Sequence, residues 1–262
     1  MIGNIYKNCG YHQCMQPKVF IGCPTWIGKK YCINKYLNGI TNLDYPEKYF
    51  MIADNSKTDE YLDILKEKGI NALKGEHYDD PVKSVVESRN MLREQFLEGD
   101  CEYFFSLEQD VVAPRDAIIK MIAHNKRVVS GLYFTAGEVN EKPVMMPLAY
   151  VGVAKEFIEK IKADPKVYKD QYEELKKYNF DPKEVKRRLT FKETEGETFM
   201  PVLRVGLGCV LIHRDVLEKI KFRYNPHGYD DMTFCSDVLA KNWKIFLDTS
   251  IKCRHFIGEQ GD

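Results

Sequence analysis

The chain has 262 residues, 39 basic and 39 acidic side chains and a formal net charge of +0, with 44% hydrophobic and 30% charged residues. That is the balance of an ordinary globular protein with enough chain for a substantial core, in one large domain or two small ones. Zero net charge argues against a nucleic-acid binder held by bulk electrostatics, and no apolar window reaches the length of a transmembrane helix.

Met1 to Lys18 is polar and lacks the apolar centre of a signal peptide, so a flexible leader over 1–17 and a cytoplasmic location are expected. Within it, Cys9, His12 and Cys14 are metal-ligand types without a matching second pair. Cys101, Cys209, Cys235 and Cys253 lie in or beside apolar runs, where a free thiol acts as a small hydrophobe, so no disulfide framework is expected.

Lys18 to Cys23 reads as a short strand ending in Pro24-Thr25-Trp26, followed by a helix over 31–39. A second strand, Tyr49 to Ala53, ends in Asp54-Asn55-Ser56. A helix over 58–68 follows, with Gly69 as its stop. Val82 to Leu97 is a third helix. The strand Tyr103 to Leu107 comes next, then a helix over 115–124 and a strand from Arg127 through Phe134. This alternation predicts an α/β fold with a mostly parallel, doubly wound central sheet flanked by helices.

Residues 155–200 are rich in Lys, Glu, Asp and Tyr and read as surface helices over 153–162, 166–178 and 182–189, a helical insertion with a solvated face. Strand character returns over Val202 to His213, with Gly206 and Gly208 inside it, where a ligand or other backbone approaches closely. Helices over 215–221 and 231–241, a closing strand over 244–248 and a frayed end from Gly258 complete the chain.

The most informative stretch is the end of the strand Tyr103 to Leu107. Glu108 and Asp110 follow it one residue apart, so they project to the same side. Two carboxylates at the C-terminal end of a buried strand offer hard oxygen ligands for Mg²⁺ or Mn²⁺, ions that suit a diphosphate. That edge of an open α/β sheet is also where ligands bind. A solvated strand end before Pro114 is the plainer reading of the same residues.

The order Pro24-Thr25, Asp54-Asn55-Ser56, Arg89-Asn90, Glu108-Gln-Asp110, Gly206-Leu-Gly208, Asp230-Asp231 and Cys253-Arg-His255 resembles the nucleotide-sugar-dependent glycosyltransferases of the GT-A fold, the family 2-like group above all, over about 18–255. The family's Asp-x-Asp stands here as Glu108-Gln109-Asp110, and its Glu-Asp pair as Asp230-Asp231. The resemblance implies a single GT-A catalytic domain over 18–257. It further implies a metal-dependent, inverting transfer of a sugar from a nucleoside diphosphate (UDP and GDP both remain open) to a hydroxyl of a glycan, lipid or protein.

It also implies roles. Asp110 and His255 hold Mn²⁺ or Mg²⁺, and Glu108 meets the ribose or the metal through water. Pro24, Thr25, Asp54 and Ser56 line the nucleotide pocket. Arg89 presents its fork of donors to phosphate. Gly208 lies in the floor beneath donor sugar and acceptor, Asp231 is the general base, and Asp230 lies on the acceptor side. Plainer readings stand beside these: a helix cap for Asp54–Ser56 and for Asp230–Asp231, a surface ion pair with Glu87 or Glu94 for Arg89, and a surface histidine for His255. Trp26 and Trp243 are candidates for stacking on base or sugar, with core packing favoured for Trp243.

Two other functions remain open. One is a nucleotidyltransferase making sugar nucleotides, for which Gly22 to Lys30 gives a faint Gly-rich basic loop. The other is a nucleotide-sugar-binding protein without turnover, against which the acids at 108, 110, 230 and 231 argue. Attachment to a membrane surface through 155–200 is the alternative to a freely cytoplasmic location.

Overall fold

A computed structural model describes residues 16–139, 142–177, 180 and 185–258; the Cys9–Cys14 stretch and residues 259–262 lie outside them. The first half alternates strongly. Strand β1 (Val19–Thr25) leads through helix α1 (Ile33–Thr41) to β2 (Lys48–Asp54), then α2 (Glu60–Glu67), β3 (Ala72–Lys74), α3 (Pro81–Glu98) and β4 (Tyr103–Leu107). Next come the two-residue β5 (Val111–Val112), α4 (Ala117–Ala123) and β6 (Val128–Leu132). A hairpin of β7 (Phe134–Val139) and β8 (Lys142–Pro147) and the strand β9 (Ala149–Gly152) precede helices α5 (Lys155–Ala163) and α6 (Pro165–Lys176). The remainder is β10 (Lys186–Arg188), α7 (Phe191–Thr194), β11 (Phe199–Val202), β12 (Arg204–Val205), β13 (Cys209–His213), α8 (Arg214–Lys219), α9 (Asp230–Ala240), β14 (Ile245–Lys252) and β15 (Arg254–His255).

Eight strands form the central sheet in the order β11-β14-β6-β13-β4-β1-β2-β3. β3, β2, β1 and β4 are parallel, as are β6 and β14, whereas β13 is antiparallel to both β4 and β6, and β11 to β14. The chain builds outward from β1 to β3 and then returns through α3 to lay β4 on the other side of β1. That reversal is a topological switch point, where two loops part and leave a crevice at the C-terminal edge. β13 runs the other way, so its start, at Gly208, reaches the same edge.

Both faces of the sheet are covered, and successive residues of β4 serve opposite faces. Phe104 joins Phe20, Val86, Leu92 and Phe96 under α3. Tyr103, Phe105 and Leu107 join Tyr36, Tyr61, Ile118 and Met121 under α1, α2 and α4. The Phe104 ring lies 5.6 Å from Phe20 and 5.5 Å from Phe96.

Two expectations need correction, both from segments whose structure depends on a distant partner. Within the span read as a helix over 182–189, Lys186–Arg188 is a strand, because it pairs with β9. The strand read over 202–213 is broken: Arg204–Val205 leaves the central sheet to pair with β9, and Gly206–Gly208 turns the chain back. β3, the β7–β8 hairpin and β9 were not anticipated. No helix among the described residues is long and apolar enough to cross a membrane.

Replacing Phe104 by Ala is expected to cost about 3–5 kcal/mol of stability in urea unfolding, since the aromatic cluster cannot close over the cavity. A loss below about 1 kcal/mol would show that the cluster is not the packing centre of this face.

Candidate active site

The three residues after β4 do different jobs. Gln109 is fully buried and points away from the crevice, where it accepts from Thr25 Oγ1 at 2.6 Å and from Tyr61 Oη at 2.9 Å and donates to the Lys29 carbonyl. It fixes the turn to β1 and α2. Glu108 and Asp110 are thereby turned to the crevice. The backbone N–H of Glu108 donates to Gly208 O at 3.0 Å, which joins the acids to the start of β13.

His255 reaches Asp110 through a short antiparallel pairing in which β15 lies on β5, His255 opposite Val111. Phe256 N donates to Asp110 O at 2.7 Å and completes the clamp. His255 Nδ1 lies 2.7 Å from the Phe134 carbonyl. A carbonyl only accepts, so Nδ1 carries the proton and Nε2 faces Asp110, 3.5 Å from Oδ2. Burial opposes a charge on His255, but Asp110 and the Phe134 carbonyl raise its pKa above the ordinary histidine value.

A residue the sequence reading did not single out stands in the same place. Lys29 Nζ is 2.9 Å from Asp110 and 3.7 Å from Glu108. Burial works against its charge, but the two acids overrule it and hold it protonated. Burial likewise raises the Asp110 pKa, yet His255 and Lys29 keep it below the usual carboxylate range.

Arg89 is neither on the surface nor paired with Glu87 or Glu94. It is 1% exposed, and its guanidinium donates through Nε to Asp230, through Nη1 to Ser106 Oγ at 2.8 Å and through Nη2 to Glu108. Three of its donors thus brace two acids and Ser106. Asp54 is also buried; its Oδ1 accepts from Ser56 N at 3.0 Å and from Ser56 Oγ, and Ser56 Oγ accepts from Ile27 N at 2.7 Å. Asp54 and Ser56 therefore shape the loop, while their neighbour Asn55 faces the crevice.

Two adjoining cavities result. The smaller, about 210 Å³, is lined by Pro24, Thr25, Trp26, Asn55, Val82 and Val85, with Lys29 at its edge. The larger, about 500 Å³, holds Asp110, His255, Tyr133, Tyr150, Arg204 and Asp231. Glu108, Tyr229 and Asp230 line both. A Cβ at Gly208 would meet the Tyr133 ring at 2.9 Å, and one at Gly206 would overlap the Tyr133 hydroxyl, so these glycines let Tyr133 form the floor. Trp26 is half exposed at the rim, whereas Trp243 lies elsewhere, against Arg127.

Asp231 opens α9 beside Asp230. Its Oδ1 is buried without a hydrogen-bond partner, with Arg204 Nη2 at 3.6 Å. Burial pushes its pKa up to about 6, against the pull of Arg204 and with the help of Asp230. It is a carboxylate poised to take a proton near neutral pH.

Among the described residues no group of three or more His, Cys, Asp or Glu is arranged to hold a metal ion. Mg²⁺-type sites, however, commonly use one or two carboxylates and complete their shell with water and substrate phosphate. Asp110 offers one such carboxylate and a neutral His255 would offer Nε2 beside it, with Lys29 as the cation that must yield the place.

The crevice at the switch point and the strand order define a GT-A-type α/β fold. No family model matches the sequence, and no curated protein matches it. Among solved structures, S. aureus TarS 1–349 in complex with UDP-GlcNAc superposes with a TM-score of 0.51 at 15% identity, covering 94% of this chain and 60% of that one. TarS 1–349 alone gives 0.48 at 15% identity (90% and 60% covered), and A197 from STIV gives 0.45 at 15% identity (93% and 87% covered). The chain thus spans 60% of the length of the TarS fragment. At such identity the likeness is one of fold.

Arg89→Leu would remove the cation that Glu108 and Asp230 share, leaving Glu108 with only the 3.7 Å approach of Lys29. It is expected to cost about 3–5 kcal/mol in urea unfolding at neutral pH. A change within about 0.5 kcal/mol, as for an exposed arginine, would contradict the bracing role.

Proposed function

We propose that the chain is a metal-dependent glycosyltransferase that moves a sugar from a nucleoside diphosphate to a hydroxyl acceptor with inversion. The observation that carries this reading is Asp231: a carboxylate with one buried, unbonded oxygen and a pKa of about 6, across one cavity from a cation-bearing acid cluster. The TarS structure of the same fold contains UDP-GlcNAc, which supports a nucleotide-sugar donor. In this reading the nucleotide base takes the smaller cavity, between Pro24, Trp26 and Val82, and the diphosphate lies at Lys29, Asp110 and His255.

Asp231 accepts the proton of the acceptor hydroxyl as its oxygen attacks the anomeric carbon. The bond from that carbon to the diphosphate oxygen breaks, and its electron pair leaves with the diphosphate. Lys29 meets the developing negative charge in a partly buried setting, where fixed cations count most. A divalent ion held by Asp110 and a neutral His255 Nε2 would replace the proton on that nitrogen and supply charge neutralisation there. Gly208 and Tyr133 form the floor beneath the reacting sugar, and Arg89 keeps Glu108 and Asp230 in place.

Two outcomes test this. Transfer rate, as kcat/KM, should rise with pH to a plateau with a midpoint near 6, and Asp231→Asn should abolish transfer by at least about 100-fold. Because the folded pKa of Asp231 is raised from 3.8 to about 6, its ionisation costs stability as pH rises through that window. Asp231→Asn should therefore stabilise the fold by up to about 3 kcal/mol at neutral pH and by little below about pH 4. An unchanged rate in Asp231→Asn would remove the base assignment.

For the metal, thermal unfolding with UDP or GDP, with and without Mn²⁺, gives a readout independent of turnover. One nucleotide should stabilise the wild type more when Mn²⁺ is present, and Asp110→Asn should lose that increment. An increment that survives in Asp110→Asn would overturn the metal assignment.

A further inference from the structure

Four buried side-chain atoms among the described residues have no hydrogen-bond partner: Asp54 Oδ2, Arg188 Nη1, Arg204 Nε and Asp231 Oδ1. Three of the four belong to residues that line the larger cavity. Buried polar groups in native structures are almost always paired, so an orphan cluster at a cavity points to a ligand.

The arginines are placed by the small sheet β10-β9-β12. Arg188 and Arg204 are both registered on Tyr150, one from each side, so the three side chains form a row across one face. Their guanidinium carbons lie 5.4 and 5.0 Å from the centre of the Tyr150 ring, and Arg188 Nε donates to Tyr150 Oη at 3.0 Å. The neighbouring Arg187 points to the other face and is neutralised by two 2.9 Å bonds to Glu193. Among the described residues Arg188 has no carboxylate partner, and Arg204 has only the long approach to Asp231. Two guanidiniums held by one aromatic ring, both lining the larger cavity and each with an N–H that no protein group accepts, form a rigid fork for an oxyanion.

The position says which substrate carries that anion. Neither arginine lines the smaller cavity with Lys29; both share the larger cavity with Asp110 and His255, and neither is paired with those two residues. Arg204 instead lies beside Asp231, so a molecule whose hydroxyl reaches the base also reaches the arginine. We propose that Arg188 and Arg204 form an acceptor subsite, so that the acceptor is a hydroxyl compound bearing a phosphate or carboxylate near the hydroxyl that is glycosylated. The proposal rests on the glycosyltransferase reading, and it gives the 155–200 region a purpose: it delivers β10, and with it Arg188, to the cavity.

The test is calorimetric titration of the full chain with inorganic phosphate, glucuronate, uncharged glucose, UDP and GDP, in the wild type, Arg188→Gln, Arg204→Gln and Arg188→Lys. Phosphate or glucuronate should bind more tightly than glucose, and each Gln variant should weaken that anion by at least about tenfold while UDP changes by less than about twofold. Arg188→Lys, which keeps the charge, should lose less than Arg188→Gln; it also reports on the subsite if a Gln variant proves unfolded by its melting curve. Equal anion binding in wild type and variants, or no preference for anions over glucose, would overturn the proposal. Loss of UDP binding in the folded Gln variants would assign the arginines to the donor diphosphate and overturn it as well. Failure of UDP and GDP to bind the wild type would count against the glycosyltransferase reading instead, while the anion titration still decides whether the subsite exists.

Discussion

The buried guanidinium of Arg89 is the interaction on which the site depends. It joins the acid at the end of β4 to the acid at the start of α9 and ties both to Ser106 within the sheet. Without a cation there, Glu108 and Asp230 would meet across a partly dry gap and repel. With it, two segments 122 residues apart in sequence are held in fixed relation (230 − 108). Such a brace need not add net stability over an apolar core, because desolvating the charges offsets much of the attraction. Its consequence is geometric: the larger and smaller cavities share Glu108 and Asp230, so Arg89 positions the wall common to both.

The same logic extends outward as a distribution of charge. The crevice collects four carboxylates, at 108, 110, 230 and 231, and the chain supplies a cation for each. Lys29 and His255 sit on Asp110, Arg89 on Glu108 and Asp230, and Arg204 at a distance from Asp231. The pairing is uneven. Asp110 is over-supplied and its pKa falls, whereas Asp231 has only a remote partner and its pKa rises. Environments that push neighbouring carboxylates apart in this way separate an anion that stays ionised from one that exchanges a proton.

Much of this was legible in the sequence where the local pattern and the tertiary role agree. Strands β1, β2, β4 and β6 are apolar runs because both faces of the sheet are covered, and Gly and Pro signals bound them. Glu108 and Asp110 could be named from two acids one residue apart at the end of a buried strand, whereas Asp231 and His255 were named only through the resemblance to GT-A glycosyltransferases. The brace was not legible: Arg89 follows Ser88 on α3, and a helical arginine reads as solvent-facing. The signal available was Ser84 and Ser88, small residues at helical spacing that leave room beside the sheet; both are buried. Lys29 was hidden because its meaning comes from the short helical turn over Ile27–Cys32, which carries it over the acids. β10 and β12 were hidden for a similar reason. Lys186-Arg-Arg188 and Arg204-Val205 have no strand periodicity of their own and exist as strands only through pairing with β9.

That last failure explains where function concentrates in this chain. Local sequence preference and global structure disagree at the basic strands, at the glycine turn after β12 and at the loop bearing Lys29, and all three open on the same cavity system. A core element agrees with its own sequence because packing rewards the same apolar pattern that propensity does. A site instead asks charged groups to enter a half-buried crevice, against their solvation, and only distant partners can hold them there. Arg188 and Arg204 are held by a ring, Lys29 by two acids and His255 by a carbonyl. In each case the protein fixes one side of the charged group and leaves the other toward the cavity. The orphan atoms on Arg188, Arg204 and Asp231 are the groups that the proposed acceptor subsite would complete.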